Sequence, residues 1–278
     1  MIYLILAIAS SAMISVFMRL SSHRIQNNIA MLVVNYLTCL VIAAVYTNRR
    51  LFSWTTSIPN ALALGLFQGV LYLGGFVLFQ YNVQKNGVVL SSLFMRLGLL
   101  VPLAVSMVLF SEIPTGFQIF GVVLAIAAIV VMSAGPKGRL APALLLLLFA
   151  SGSADAMSKI FEQWGDPGLS EHFLFYTFLA AAILCVGLML LRRQRIGKQE
   201  LIFGVLVGLP NFFSAKFLLA ALTQLPGVLV YPTFSVGTIL LVMLAGTVLF
   251  REKLTRRQAV AATIILCALL LLNISTGN

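Results

Sequence analysis

Three ionisable residues interrupt long apolar stretches of this sequence: Arg96, Asp155 and Lys216. A charged side chain at the centre of a membrane helix costs at least about 2.5–3.5 kcal/mol on insertion scales, so such residues mark solute pathways by default. Two cations and one carboxylate match a solute that carries an anionic group and an ammonium. We therefore predict that these residues bind a small solute, and that Asp155 is also a candidate for proton coupling.

The same residues have a structural interpretation. Asp155 can pair with Lys159, which follows it by one helical turn, or with Lys216. Arg96 can then cap the carbonyl groups of a neighbouring helix. In that case the three charges hold helices together and bind no solute.

Uncharged polar side chains inside the apolar stretches complete the predicted solute site. Amide and hydroxyl groups also bond across helices simply to satisfy themselves, so each is a weaker candidate alone than in a group. No catalytic residue, metal site or cofactor is predicted, because the sequence has no Walker motif, no HExxH and no GxSxG. The further solute-binding candidates are Asn35, Tyr36, Gln68, Tyr72, Tyr176, Asn211 and Tyr231.

The elements that must position these groups are membrane helices. Of the 278 residues, 61% are hydrophobic and 9% are charged, against about 45–50% apolar and about 25% charged in soluble domains. The apolar runs are long and lack strict alternation, which indicates helices rather than barrel strands. We predict an all-α integral membrane protein with ten transmembrane helices, near 2–20, 29–47, 60–83, 87–110, 116–134, 141–163, 171–191, 201–225, 227–250 and 257–274.

The net charge of +11 is a signal of orientation rather than of nucleic-acid binding. The even-numbered connections between the predicted helices carry only Arg49 and Arg50. Short loops rich in Lys and Arg remain in the cytoplasm, so both termini are expected outside a cell membrane. The odd-numbered connections carry Arg24, Lys85, Lys137, Arg139, Arg192, Arg193, Arg195, Lys198, Arg251, Lys253, Arg256 and Arg257.

The two halves of the sequence resemble each other. A shift of 140 residues places Leu109-Phe110-Ser111-Glu112 on Leu249-Phe250-Arg251-Glu252, and Gly87 on Gly227. It also places Tyr36 on Tyr176, Ser11 on Ser151 and Gln118 on Gln258. We predict two five-helix repeats, 1–137 and 138–278. Because five is odd, the second repeat must be inverted in the membrane, which puts a binding site near the midplane between them.

The doubled pattern Leu-Phe-x-Glu, followed by Gln118 or Gln258 and a closing apolar helix, resembles the EamA-type repeats of the drug/metabolite transporter superfamily. The resemblance covers essentially the whole chain. It implies that helices one to four and six to nine surround a central cavity, with helices five and ten at the periphery. It also implies secondary transport, often export of small metabolites. The first helix reads Ala9-Ser10-Ser11-Ala12 where a Trp-Gly pair is frequent in the family.

Together these features predict a secondary transporter of an amino acid or another zwitterionic or anionic solute, working by alternating access. The expected partners are a small-molecule substrate and membrane lipid, with a monomer as the expected state. Transport of cationic drugs and flipping of polar lipids are alternatives. An intramembrane enzyme, with Ser153 and His172 as nucleophile and base, is a remote one.

Overall fold

A computed structural model describes residues 1–47, 58–109, 115–133, 142–225, 227–251 and 256–272. These residues form helices and no strand, as predicted. Glu112, Glu252 and much of the Leu-Phe-x-Glu pattern lie outside the described residues. The helices are α1 (Ile2–Ser21), α2 (Asn28–Thr47), α3 (Ile58–Asn86), α4 (Val88–Leu97), α5 (Leu100–Leu109), α6 (Gly116–Ser133), α7 (Pro142–Trp164), α8 (Ser170–Leu191), α9 (Lys198–Leu222), α10 (Gly227–Val248) and α11 (Arg256–Leu272).

Six of these helices, α1, α2, α3, α7, α8 and α9, are each long and apolar enough to cross a membrane. Each spans at least 20 residues, and a helix of that length covers about 30 Å, the thickness of the hydrocarbon layer. Because every such helix satisfies its own backbone hydrogen bonds, it is stable in lipid. The chain is a multi-pass membrane protein.

The fourth predicted span, 87–110, is divided into two helices, α4 and α5. The cause is Pro102, which has no N–H to donate to the carbonyl of Gly98 and whose ring would clash with that carbonyl. The chain tightens there instead, with Leu99 N–H donating to Arg96 O at 3.1 Å and Val101 N–H donating to Gly98 O at 2.9 Å. The interruption therefore falls at Gly98 and Leu99, two residues after Arg96.

Contacts between the helices follow the internal repeat. Under the 140-residue shift, α1, α2, α3, α4–α5 and α6 correspond to α7, α8, α9, α10 and α11. The contact of α1 with α9 is matched by that of α7 with α3, and the contact of α2 with α9 by that of α8 with α3. The pairs α2–α8, α4–α10 and α6–α11 each join equivalent helices. The contacts between helices thus recur between corresponding helices of the two matching halves.

Glycine pairs allow the two repeats to approach closely. Gly65 and Gly69 of α3 lie against α8, and Gly204 and Gly208 of α9 lie against α2. A Cβ atom on Gly69 would lie 2.5 Å from the carbonyl oxygen of Thr177, so no larger residue fits. Each pair has the small-xxx-small spacing that brings membrane helices together. The repeats are thus joined by two equivalent helix pairs.

Polar contacts define the two ends of the helix bundle. At one end, which we call the Glu200 face, α1 and α3 end while α2 and α9 begin; there Asn28 Nδ2 donates to Gln84 Oε1 at 3.4 Å. At the other end, the Glu171 face, α2 ends and α8 begins, and Thr47 Oγ1 donates to the Glu171 carbonyl at 3.5 Å. A solute that crosses the bundle must pass both faces.

Candidate functional site

A cavity of about 80 Å³ lies in the middle of the bundle, between α1, α3, α4, α7, α9 and α10. That volume holds several water molecules or the polar end of a small solute. Among the described residues, α6 and α11 contribute nothing to its lining, as expected of peripheral helices. The same holds for α2 and α8, which were expected to surround the cavity but lie behind its lining. The walls combine apolar and aromatic side chains with a few polar groups, the usual composition of a small-molecule site.

Arg96 is the cation of this cavity. It occupies the last turn of α4, and the residue is 8% exposed. Its Nη2 donates a hydrogen bond to Ser11 Oγ of α1. The guanidinium carbon lies 4.4 Å from the ring centroid of Phe234 in α10, within the range of a cation–π interaction. Two helices therefore fix this guanidinium from different sides while it faces the cavity.

Asp155 of α7 is the carboxylate of the same cavity, and its side chain is partly exposed there. Arg96 acts on it electrostatically. Within the described part of the chain, no hydrogen bond or ion pair within 4 Å reaches its oxygens. The cavity thus holds a cation and an anion that do not neutralise each other by direct contact.

The two lysines that could have paired with Asp155 have other carboxylate partners. Lys159 Nζ lies 3.6 Å from Glu162 Oε2 on the same helix. Lys216 Nζ lies 3.1 Å from Glu171 Oε1 and 3.2 Å from the ring centroid of Tyr46. Lys216, a predicted solute ligand, therefore lies at the Glu171 face, outside the cavity lining.

Tyr72 and Asn211 join the charged pair in the lining. The ring of Tyr72 stacks on Phe76, with centroids 6.4 Å apart. Asn211 Nδ2 donates to Asn35 Oδ1 at 3.2 Å, across the close contact of α9 with α2. Of the predicted ligands, Arg96, Asp155, Tyr72 and Asn211 are brought together in one cavity.

Other predicted ligands lie behind or beside the cavity. Asn35 and Tyr36 are fully buried in α2. Gln68 is also buried, where its Nε2 donates to Ser158 Oγ at 2.7 Å and its Oε1 accepts from Thr177 Oγ1 at 3.3 Å, which links α3, α7 and α8. Tyr176 is partly buried beside Phe175, with ring centroids 5.6 Å apart. The side chain of Tyr231 lies outside the described residues.

Small hydroxyl residues were missed as lining groups. Ser15, Ser92, Ser151 and Ser214 all line the cavity, and Ser92 Oγ donates to Ser15 Oγ at 3.4 Å. The 140-residue shift was a usable signal, since much of the lining consists of equivalent positions. These pairs are Ser11 and Ser151, Ile14 and Ala154, Ser15 and Asp155, Leu71 and Asn211, and Gly75 and Ala215.

Comparisons with known proteins agree with this architecture. The model of the EamA-like transporter family matches the chain twice, over residues 1–134 and 140–274. An uncharacterized protein of Haemophilus influenzae (strain ATCC 51907 / DSM 11121 / KW20 / Rd) is 28% identical over 209 residues, which cover 71% of this chain and 69% of that protein. A crystal structure, described only as that of a protein, has the same fold: its TM-score is 0.63 at 14% identity, covering 97% of this chain and 94% of the other. The chain therefore belongs to the EamA-like transporter family, membrane transporters of the drug/metabolite transporter superfamily, and contains that family's repeat twice.

Proposed function

We propose that the chain is a secondary active transporter that exports or exchanges a small zwitterionic or anionic metabolite, in the first place an amino acid. One observation carries the proposal: Arg96 and Asp155 line a single cavity without a direct ion pair between them. A charge removed from water and left without an opposite charge in direct contact costs several kcal/mol. A ligand with a carboxylate and an ammonium would lower the free energy of both residues.

Each lining residue then has a separate part in binding. The guanidinium of Arg96, already oriented by Ser11 and Phe234, offers its remaining N–H groups to the carboxylate of the ligand. The carboxylate of Asp155 accepts hydrogen bonds from the ammonium group of the ligand. Tyr72 and Asn211 provide hydrogen bonds along the same wall.

The transport cycle that we propose is alternating access between two inverted repeats of five spans each, of which α4 and α5 together form one. The matched contacts of α1 with α9 and of α7 with α3 support this layout. Inverted repeats exchange conformations about a site at the midplane, so each face can open in turn. When the ammonium leaves, Asp155 can take a proton in its place, which would couple transport to protons.

A binding experiment tests this function directly. In thermal unfolding of the purified chain, a ligand at 100 times its Kd should stabilise the native state by about 2.7 kcal/mol. Amino acids should do so, while amines and carboxylic acids of the same size should do so less. Asp155→Asn should abolish the preference for amino acids over the matched carboxylic acids, and Arg96→Ala should remove the response to both.

Lys216→Met is the matched control, because Lys216 lies outside the cavity lining. It should leave the ligand response unchanged. Amino-acid stabilisation that persists undiminished in both Arg96→Ala and Asp155→Asn would contradict the assigned site.

A further inference from the structure

Glu200 joins the two repeats at the Glu200 face of the helix bundle. It lies in the first turn of α9 and is 4% exposed. Its Oε1 accepts hydrogen bonds from the backbone N–H groups of Gln26 at 2.8 Å and Asn27 at 3.0 Å, directly before α2. In addition, Asn27 Nδ2 donates to the carbonyl of Arg195 at 3.2 Å. A carboxylate of the second repeat thus caps the start of a helix of the first.

The lining residues of the cavity on the side of this contact are buried. Ser15, Ser92 and Phe79, the lining residues nearer the Glu200 face, are 5%, 3% and 1% exposed. Leu218, which lies one turn before the end of α9 and hence towards the Glu171 face, is only partly buried. Tyr72 is also partly buried. The Glu200 contact therefore lies at the end of the bundle where these lining residues are buried.

Among the described residues, no carboxylate takes the equivalent position at the opposite end. The 140-residue shift places Asn60 at the position of Glu200, and Asn60 is an exposed residue near the start of α3. Before α8, the helix that corresponds to α2, Asp166 Oδ1 accepts a local hydrogen bond from Gly168 N–H at 2.9 Å. The segment before α8 therefore forms its side-chain hydrogen bond within its own repeat, whereas the segment before α2 bonds to Glu200 of the other repeat.

We propose that Glu200 is a latch that keeps the cavity closed to the Glu200 face and that breaks when the cavity opens there. The carboxylate is stabilised at the positive end of the α2 dipole while the latch is closed. Water replaces the two N–H groups when it opens, so the contact is reversible. The latch depends on the proposed alternation of access but not on which solute is carried.

Cysteine accessibility tests the latch without any substrate. Ser15→Cys is introduced into a chain in which Cys39, Cys185 and Cys267 are replaced by alanine. A membrane-impermeant maleimide is then applied to each side of the membrane in turn, in right-side-out and in inside-out vesicles. Glu200→Ala should raise the labelling rate from the Glu200 face about tenfold or more, since lost contacts shift the population towards the open state. Glu200→Gln, which keeps the shape without the charge, should give an intermediate rate.

Glu171→Ala is the matched control, because it removes an acidic side chain that is ion-paired to the same helix, α9, at the opposite face. It should leave labelling from the Glu200 face unchanged. An unchanged rate in folded Glu200→Ala would overturn the latch, and so would an equal rise from both faces.

Hydrogen exchange in the native chain supplies a second measurement that does not depend on the folding of a variant. If the latch opens, the amides of Gln26 and Asn27 should exchange about tenfold or more faster than those in the middle of α2. Equal protection of the two groups of amides would show a static cap and overturn the proposal.

Discussion

Ser11 is the hydroxyl residue that orients Arg96. In Ser11→Ala the guanidinium loses this acceptor and is free to turn towards Asp155, which would neutralise the site. A hydrogen bond to a charged group contributes about 1.5–3 kcal/mol, so we expect roughly tenfold or greater loss of ligand affinity. Isothermal titration calorimetry measures this loss of affinity, with the amino acid that most stabilises the native chain in thermal unfolding as the ligand.

Two further variants distinguish the hydrogen bond that orients Arg96 from side-chain packing at position 11. Ser11→Thr restores a hydroxyl and should recover most of the affinity, whereas Ser10→Ala, next to it but outside the lining, should have no effect. A Ser11→Ala chain that binds as tightly as the native one would exclude this orienting contact as a determinant of affinity.

Lys216 gives a second prediction at the scale of single residues. Its partner Glu171 is exposed, so the ion pair contributes at most about 1 kcal/mol to stability, and the contact with Tyr46 a similar amount. Lys216→Met should therefore lower thermal stability slightly and leave transport into proteoliposomes unchanged. Loss of transport by a correctly folded Lys216→Met chain would show that Lys216 belongs to the solute pathway.

Single residues also show how far the sequence was informative about the site. Charge inside an apolar run was enough to single out Arg96 and Asp155, and the structure places both in the lining of one cavity. Their role in solute binding stays a prediction. Lys216 could not be placed in the same way. Its partner Glu171 lies 45 residues away on another helix, and the ring of Tyr46 lies on a third, so only the tertiary packing reveals that its charge is already compensated.

At the scale of elements, α4 crosses α7 at two glycines beside the charged residues. A Cβ atom on Gly152 would lie 2.3 Å from the carbonyl oxygen of Gly98 and 2.6 Å from a methyl group of Val101. Since both neighbours belong to the interrupted α4–α5 segment, Gly152→Ala should push that segment away. We expect destabilisation of about 1–3 kcal/mol, measured by thermal unfolding in detergent.

Gly187 of α8 is the control for this substitution, because nothing lies within 4 Å of its added Cβ atom. Gly187→Ala should be neutral or stabilise the helix by up to about 1 kcal/mol. If the two variants unfold at the same temperature, the close crossing of α4 with α7 is not the constraint that we describe.

Helix types and approximate limits followed from the sequence, but the division of α4 from α5 did not. Pro102 indicated a bend somewhere in the fourth span. That the break falls at Gly98 follows from the missing N–H of Pro102 together with the close contact of Gly98 and Gly152. Gly98 and Gly152 are far apart in the chain, so no local sequence pattern predicts their contact.

At the scale of the whole molecule, the two repeats are alike in their contacts and unlike in their charges. The connections at the Glu200 face include the basic segment with Arg192, Arg193 and Arg195, which the structure leaves largely exposed. Short basic loops remain in the cytoplasm, so we propose that the Glu200 face is cytoplasmic and both termini are outside. The proposed latch would then close the cavity to the cytoplasm.

Thiol labelling of intact cells tests this orientation. In the cysteine-free chain, Gln163→Cys lies exposed near the end of α7, towards the Glu171 face, and Lys198→Cys lies exposed at the start of α9. We expect an impermeant maleimide to label Gln163→Cys in intact cells and Lys198→Cys only after the cells are permeabilised. The reverse pattern would place the Glu200 face outside, because both positions are exposed and only the membrane separates them. The latch would then close the pathway to the exterior, and its role in the transport cycle would be inverted.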